Sequence, residues 1–338
     1  MRPLRMVSAG MAAAIGLALG ATAAMAQPKK EVTFAHQDMI IPYRVLMAAG
    51  EIEKKTGYKI SWKMFGGGGD VIKAMASGEV PIGEVGSSPA TAAASQGIDI
   101  QVIWILDDIG NAEQLVASKK SGVTTLAGLK GKKVATPFVS TAHYQLLFAL
   151  KDAGVNAKEV NILNMRPPEI AAAWERGDID ATFIWDPVLG NIKKGGTVLI
   201  SAGEIAKKGA PTFDALIVNR AWAAQHKEFV TTLVKMIAAK DAEFRANKAK
   251  WVAGSAEVAA IAKIVGAKPE NVPAVLNDYI FPTAEVQASK AWLGGGAEGG
   301  VARAMLDTAR FLKEQGRITD VAADYAKFVT PEFAAAAK

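Results

Sequence analysis

Three loops in this chain combine small hydroxyls or Asp-Pro with the end of an apolar run. They read Gly86-Ser87-Ser88-Pro89, Pro137-Phe138-Val139-Ser140-Thr141 and Trp185-Asp186-Pro187. The runs before them, Pro81 to Val85, Lys133 to Thr136 and Ala181 to Ile184, read as strands. Ser, Thr and Asp cap helices, and Pro suits the first helical position. Strand, cap and helix in that order present backbone N–H groups at the carboxyl edge of an α/β sheet. Such an edge holds an anion without Lys or Arg, because the N–H groups and the helix dipole supply the positive end. Ser87, Ser88, Ser140 and Thr141 are therefore candidate ligand donors, although any one of them serves equally well as a plain cap. Three such starts together favour a cleft for a small anionic or zwitterionic ligand.

Two acids stand where such a ligand's cationic end would need them. Glu113 follows Asn111, and Asp214 follows Phe213, each beside a segment that reads as a passage between two lobes. Two carboxylates with aromatic neighbours can hold an ammonium group by charge and cation–π attraction. Trp185 and Tyr144 are candidate walls, although aromatics beside strand ends are often core.

Bond-breaking chemistry finds less support. The three histidines, His36, His143 and His226, are far apart, and there is no cysteine, so no spacing suggests a metal site. No G-x-S-x-G elbow occurs. Gly66 to Gly69 lacks both the Gly-Lys-Ser/Thr ending of a phosphate loop and the setting of a dinucleotide site. Its simpler reading is a loop that needs positive φ or a close backbone approach. No cofactor is implied.

The elements that must position these residues alternate. Val32 to Gln37, Lys59 to Phe65, Pro81 to Val85 and Ile100 to Leu106 read as strands. Pro42 to Thr56, a helix capped by Asp70, and Pro89 to Gln96 lie between them. A second set begins near Leu129, with strands at Lys133 to Thr136, Val160 to Leu163, Ala181 to Trp185 and Thr197 to Ser201. Phe213 to Asn219 is a further strand, and the remainder to the C-terminus has helical spacing. This predicts an α/β protein of two lobes, each a sheet flanked by helices. Lobe one would comprise 27–118 plus 213–338, and lobe two 119–212. Gln114 to Ser118 and Phe213 to Asn219 would be the two crossings, permitting hinge closure on a ligand.

The first 26 residues read as a secretory signal. Arg2 and Arg5 precede an apolar stretch from Met11 to Ala24, and Ala24-Met25-Ala26 offers a small-x-small cleavage site before Gln27. Absence of cysteine excludes a lipidated N-terminus, so the expectation is a free protein of the periplasm. The chain carries 39 basic and 33 acidic residues, a formal +6, which falls to +4 without Arg2 and Arg5. The basic residues are dispersed, so nucleic acid is not an expected partner.

Several segments together resemble the taurine and aliphatic-sulfonate binding proteins of ABC importers. They are Gly86-Ser87-Ser88-Pro89, Gly110-Asn111-Ala112-Glu113, Pro137 through Tyr144, Arg166 through Ile170, Ala173 through Asp180, Gly209 through Asp214, and Phe311 through Gly316. The Pro-Phe-x-Ser-Thr-x-His-Tyr and Gly-Ala-Pro-Thr-x-Asp segments are similar to the taurine branch. The resemblance runs from Val32 to Val329. It implies a type II periplasmic binding fold with mixed, mostly parallel sheets, and delivery of ligand to a membrane permease. It also implies that Glu113 and Asp214 contact the taurine amine, with Gln37, the serines and Thr141 near the sulfonate. Glu84, Met39-Ile40-Ile41 and Asp186 depart from the family's usual residues; if they line the cleft, a bulkier or more apolar ligand is expected. Rival readings are a binder of non-amino alkanesulfonates, a binder of a thiamine-pyrimidine precursor, and a secreted enzyme on the same scaffold.

Overall fold

The computed structural model describes residues 30–338, so the expected signal segment 1–26 lies outside the described residues. Ten strands form two sheets of five. The first sheet contains β1 (Glu31–His36), β2 (Lys59–Met64), β3 (Ile82–Gly86), β4 (Ile100–Asp108) and β10 (Phe213–Asn219), in the order β2-β1-β3-β10-β4. The second contains β5 (Glu113–Ser118), β6 (Lys133–Thr136), β7 (Asn161–Asn164), β8 (Ala181–Trp185) and β9 (Gly196–Ser201), in the order β7-β6-β8-β5-β9. β1 runs parallel to β2 and β3, and β6 parallel to β7 and β8. One strand in each sheet, β10 and β5, is antiparallel to both its neighbours. The expected mixed, mostly parallel sheets are present in both halves.

The passages between sheets are short. The chain leaves the first sheet after Asp108 and enters the second at Glu113, so the strand Glu113–Ser118, expected in lobe one, belongs to the second sheet. Gln114 to Ser118 is thus not itself a crossing; Ile109–Ala112 is. The return runs from the helix Ala202–Lys207 to β10. The two passages touch: a Cβ at Gly203 would lie 2.7 Å from Asn111 Oδ1 and 3.1 Å from the Gly110 carbonyl.

Local sequence explains several breaks. The helix expected over 42–56 divides at Gly50, whose φ of 62° ends Arg44–Ala49 before Glu51–Thr56 begins. Glycine adopts that conformation without a Cβ clash. The helix expected to start at Asp70 begins earlier, as Gly68–Ala76, with Gly67 at its cap. Asp70 instead lies in its first turn and accepts from Arg166 Nε at 3.0 Å.

Each sheet has its own apolar core. β4 is an edge strand by hydrogen bonding, yet it is buried, because the C-terminal helices cover it. Gln287 closes its open backbone by accepting from Ile105 N at 2.7 Å and donating to Ile105 O at 2.9 Å, satisfying groups that an edge would otherwise expose. The helix Gly300–Glu314 straddles both halves. Its Val301, Met305 and Ala309 join the first core, while Phe311 and Leu312 join the second. The C-terminal region expected in lobe one alone therefore also packs on the second sheet. Among the described residues, no helix is long and apolar enough to cross a membrane.

Candidate functional site

Three helix starts converge between the two sheets. Gly68 and the Gly86–Pro89 turn come from the first half, and Ser140 and Thr141 from the second. They border a narrow cleft together with Gln37, Met39, Glu113, Trp185, Asp214 and Tyr279. The helices concerned are Gly68–Ala76, Ser87–Ser95 and Thr141–Asp152. The first N–H groups of each have no partner within the helix.

Their chemistry differs. Ser140 is a true cap: its Oγ accepts from His143 N at 3.0 Å and donates to the Pro137 carbonyl at 2.6 Å. Ser87 is not a cap. Gly86 holds that position, and the buried Ser87 Oγ has no hydrogen-bond partner. Ser88 is buried in the same first turn. Thr141 serves an acid, since its Oγ1 donates to Glu113 Oε1 at 2.7 Å. The halves meet closely here: a Cβ on Gly86 would stand 2.5 Å from Thr141 Cγ2. Gly66 to Gly69 likewise make a close backbone approach rather than a positive-φ turn. A Cβ on Gly69 would meet Val139 Cβ at 3.1 Å, and one on Gly66 would meet Arg166 Cδ at 2.9 Å. Facing them, Val139 adopts φ 55°, a conformation that costs a β-branched residue about 1–3 kcal/mol.

Two acids stand directly beside these helix starts, Glu113 against Thr141 and Asp214 against Gly86. Glu113 opens β5, and Asp214 is the second residue of β10. Both are buried, and Glu113 Oε2 has no partner. Burial, then the charge of Asp214, push the Glu113 carboxyl up to about 8. Burial pushes Asp214 up to about 7, against a hydrogen bond from Asp107 that lowers it. Tyr279 completes this group. Its position follows from the pairing of Ile280 with Asp108, through bonds of 2.8 and 3.0 Å, which draws the C-terminal region onto the end of β4.

Beneath the cleft lies a buried ion pair. Arg44 Nη1 and Nη2 meet Glu84 Oε1 and Oε2 at 2.6 and 2.7 Å, and neither side chain is exposed. Burial lowers the Arg44 guanidinium to about 9, against the charges of Asp38 and Tyr279, while burial and the charges of Asp214 and Asp38 raise Glu84; the two forks, face to face, favour the ionised pair. Arg44 also donates to the Gln37 and Met39 carbonyls at 2.9 and 3.2 Å, while Glu84 accepts from Gln37 N at 3.0 Å. Gln37 Nε2 donates to the Glu84 carbonyl at 3.1 Å. Glu84 is thus a brace for the Gln37–Met39 segment rather than a free acid in the cleft.

Of the residues singled out in the sequence, Gln37, Glu113, Ser140, Thr141, Trp185 and Asp214 border the cleft. Ser87 and Ser88 follow Gly86 directly in the first turn of its helix and do not border the cleft. Tyr144 does not reach the cleft; it packs edge-on to Phe311 at 5.3 Å in the second core. Asp186 accepts from Gly190 N at 3.1 Å and serves the short helix Val188–Ile192. Of the Met39-Ile40-Ile41 run, only Met39 borders the cleft, and the isoleucines enter the first core. Sequence reasoning missed Tyr279, Asp107 and the Arg44–Glu84 pairing. Glu84 was noticed as unusual, but nothing local announced its partner 40 residues away. Trp185 ties the halves together, its Nε1 donating to Asp38 Oδ1 at 2.8 Å.

The chain can be compared with known proteins on this geometry. The family model described as NMT1/THI5 like matches residues 54–242. The chain is 36% identical over 302 residues to a taurine-binding periplasmic protein of Escherichia coli (strain K12), covering 89% of this chain and 92% of that one. The solved periplasmic aliphatic sulphonate binding protein SsuA from Escherichia coli superposes with a TM-score of 0.69 at 22% identity, covering 89% of this chain and 92% of that one. The alkanesulfonate-binding protein SsuA from Xanthomonas axonopodis pv. citri, bound to MOPS, gives 0.69 at 22%, covering 90% and 97%. The desulfurization enzyme DSZB gives 0.61 at 14%, covering 91% and 98%, so the same fold also carries an enzyme.

Proposed function

We propose, from the premise that the chain belongs to the NMT1/THI5-like family, that it is the periplasmic solute-binding component of an ABC importer. Its ligand in this reading is taurine or a closely related aminosulfonate. The single observation that carries the reading is the polarity of the cleft. Glu113 and Asp214 stand beside the helix starts in one space, and among the described residues no lysine or arginine lines it. A zwitterion whose anion and ammonium are a few bonds apart matches both the donors and the acids. The sulfonate would lie on N–H groups at Gly86–Ser88 and Ser140–Thr141, with Ser87 Oγ as a further donor. The ammonium would lie between Glu113 and Asp214, with Tyr279 and Trp185 as walls.

The two short passages at Ile109–Ala112 and before Phe213 support a hinge. A ligand touching both halves favours the closed state by its differential affinity for it. The closed protein would then engage the permease. Residues 1–26 would direct export and be removed before Gln27. No bond is made or broken in this reading; the relatives named as binding proteins support it, and conversion of bound ligand would contradict it. A thermal-shift panel of taurine, alkanesulfonates, amino acids and pyrimidines tests the ligand class. Taurine should give the largest rise in Tm, and a larger rise with a pyrimidine would displace this reading.

A further inference from the structure

Asp107 lies directly behind the acids of the cleft and takes no part in the cleft lining. It sits on β4 opposite Asp214 on β10, in register, so both side chains project to the same face. Asp107 is wholly buried, and neither of its oxygens meets an N–H or hydroxyl donor among the described residues. The residue paired with it in register is Asp214, and two carboxyls buried side by side cannot both ionise freely, so one of them retains a proton.

The surroundings are acidic on every packed element. Asp108 on the same strand, Glu113 on β5 and Asp241 on the helix Lys227–Asn247 all act on Asp107, and with burial and Asp214 they raise it well above the usual carboxylate range. Tyr279 is raised by burial and by the charges of Asp107, Asp214, Glu113 and Asp186. The nearby bases are engaged: Arg44 is paired with Glu84, and Arg245 acts on Asp241. Glu113 has one oxygen on Thr141 and one without a partner.

We propose that Asp107 is a resident neutral acid whose proton is donated to Asp214, and that capture of an ammonium ligand releases a second proton, held on Glu113. This deepens the zwitterion reading and rests on it. Asp107 acts through Asp214, keeping that carboxylate charged and oriented, and is a positioning residue. In the balanced step, the Glu113 carboxylic acid and the ligand's ammonium become a carboxylate–ammonium pair, and one proton passes to solvent. A ligand without the amine leaves that proton in place. The cleft would thereby select for amine-bearing sulfonates more sharply at neutral pH than in acid.

Calorimetry of the full mature protein in two buffers of different ionisation enthalpy counts the protons. At pH 7, taurine should release about one proton per site and ethanesulfonate close to none. Taurine affinity should rise about tenfold per pH unit from 6 to 7 and flatten above about 8, where Glu113 is already ionised. Asp107→Leu should move this profile to higher pH, and Asp107→Asn, which keeps an N–H donor toward Asp214, should restore it. Taurine binding without proton exchange overturns the coupling alone, and an unchanged profile in Asp107→Leu overturns the role of Asp107. Absence of taurine binding overturns both this proposal and the ligand reading beneath it.

Discussion

Thr141 Oγ1 donates to Glu113 Oε1 at 2.7 Å, so a hydroxyl at a helix start is engaged by the acid rather than left free for an anion. The bond sets the acid directly against the helix start. It holds the Glu113 carboxyl in one orientation and leaves Oε2 open toward the ligand. Removing the hydroxyl by Thr141→Val should therefore weaken amine-bearing ligands through Glu113. The expected loss is about 0.5–1.5 kcal/mol, the range for a single hydrogen bond. Titration of taurine against the variant checks it; a loss of equal size for ethanesulfonate would put Thr141 back at the anion end.

Neutral isosteres at the acids test the charge pairing. Glu113→Gln and Asp214→Asn should each weaken taurine by about 1.5–3 kcal/mol, the scale of a charge-assisted hydrogen bond. Ethanesulfonate should change much less. Comparable losses for both ligands would remove the ammonium from these acids.

The anion end makes a geometric prediction. A crystal structure with taurine should place sulfonate oxygens within about 3 Å of N–H or hydroxyl donors at Gly86–Ser88 and Ser140. Ser87 Oγ, now buried without a partner, should acquire one. A lysine or arginine as the principal sulfonate contact would contradict the helix-start account.

The Arg44–Glu84 pair should behave as a buried brace. Arg44→Met alone leaves Glu84 charged and unpaired, and should cost about 3–5 kcal/mol in denaturant unfolding. The double variant Arg44→Met, Glu84→Gln should recover a large part of that loss, because no lone charge remains. If the double variant is no more stable than the single, the pair does not act as a unit.

Burial of the acids also ties stability to pH. Glu113 and Asp214 are raised to about 8 and about 7 in the closed fold, from ordinary carboxylate values near 4. A raised acid binds protons more tightly when folded, so its contribution is complete below about pH 4 and is lost as pH rises through 7 to 8. The ligand-free protein should therefore close less readily, and melt lower, at pH 8 than at pH 6. Small-angle scattering and melting across that range check it; taurine should shrink the radius of gyration at pH 8, and an unchanged radius at saturation would exclude hinge closure.

Much of this arrangement was legible because it rests on local chemistry. The strand–cap–helix runs at Ser87 and Ser140 announce helix starts from four or five residues each. Two sheets follow from the alternation of elements, and Glu113 and Asp214 stand out as acids beside the passages between them. What stayed hidden depends on distant partners. Arg44 and Glu84 are 40 residues apart, the first opening the helix that follows β1 and the second on β3, and the pairing of β1 with β3 sets these elements side by side. Asp107 lies just past the strand legible over Ile100 to Leu106, and only β10 sets Asp214 opposite it. Tyr279 belongs to a helical stretch with no motif, and reaches the cleft through a two-bond bridge to Asp108. Tyr144 misled for the converse reason: its motif is beside the cleft, but its ring turns toward Phe311, a residue from the far end of the chain.

The central claim is that one cleft reads both ends of an aminosulfonate, and calorimetry of taurine against ethanesulfonate on the mature protein tests it most directly. The two share the sulfonate and the two-carbon chain and differ in the ammonium. Taurine should bind near micromolar, roughly −8 kcal/mol, and ethanesulfonate at least tenfold more weakly, the loss of one charge-assisted contact or more. Equal or tighter binding of ethanesulfonate would contradict the account.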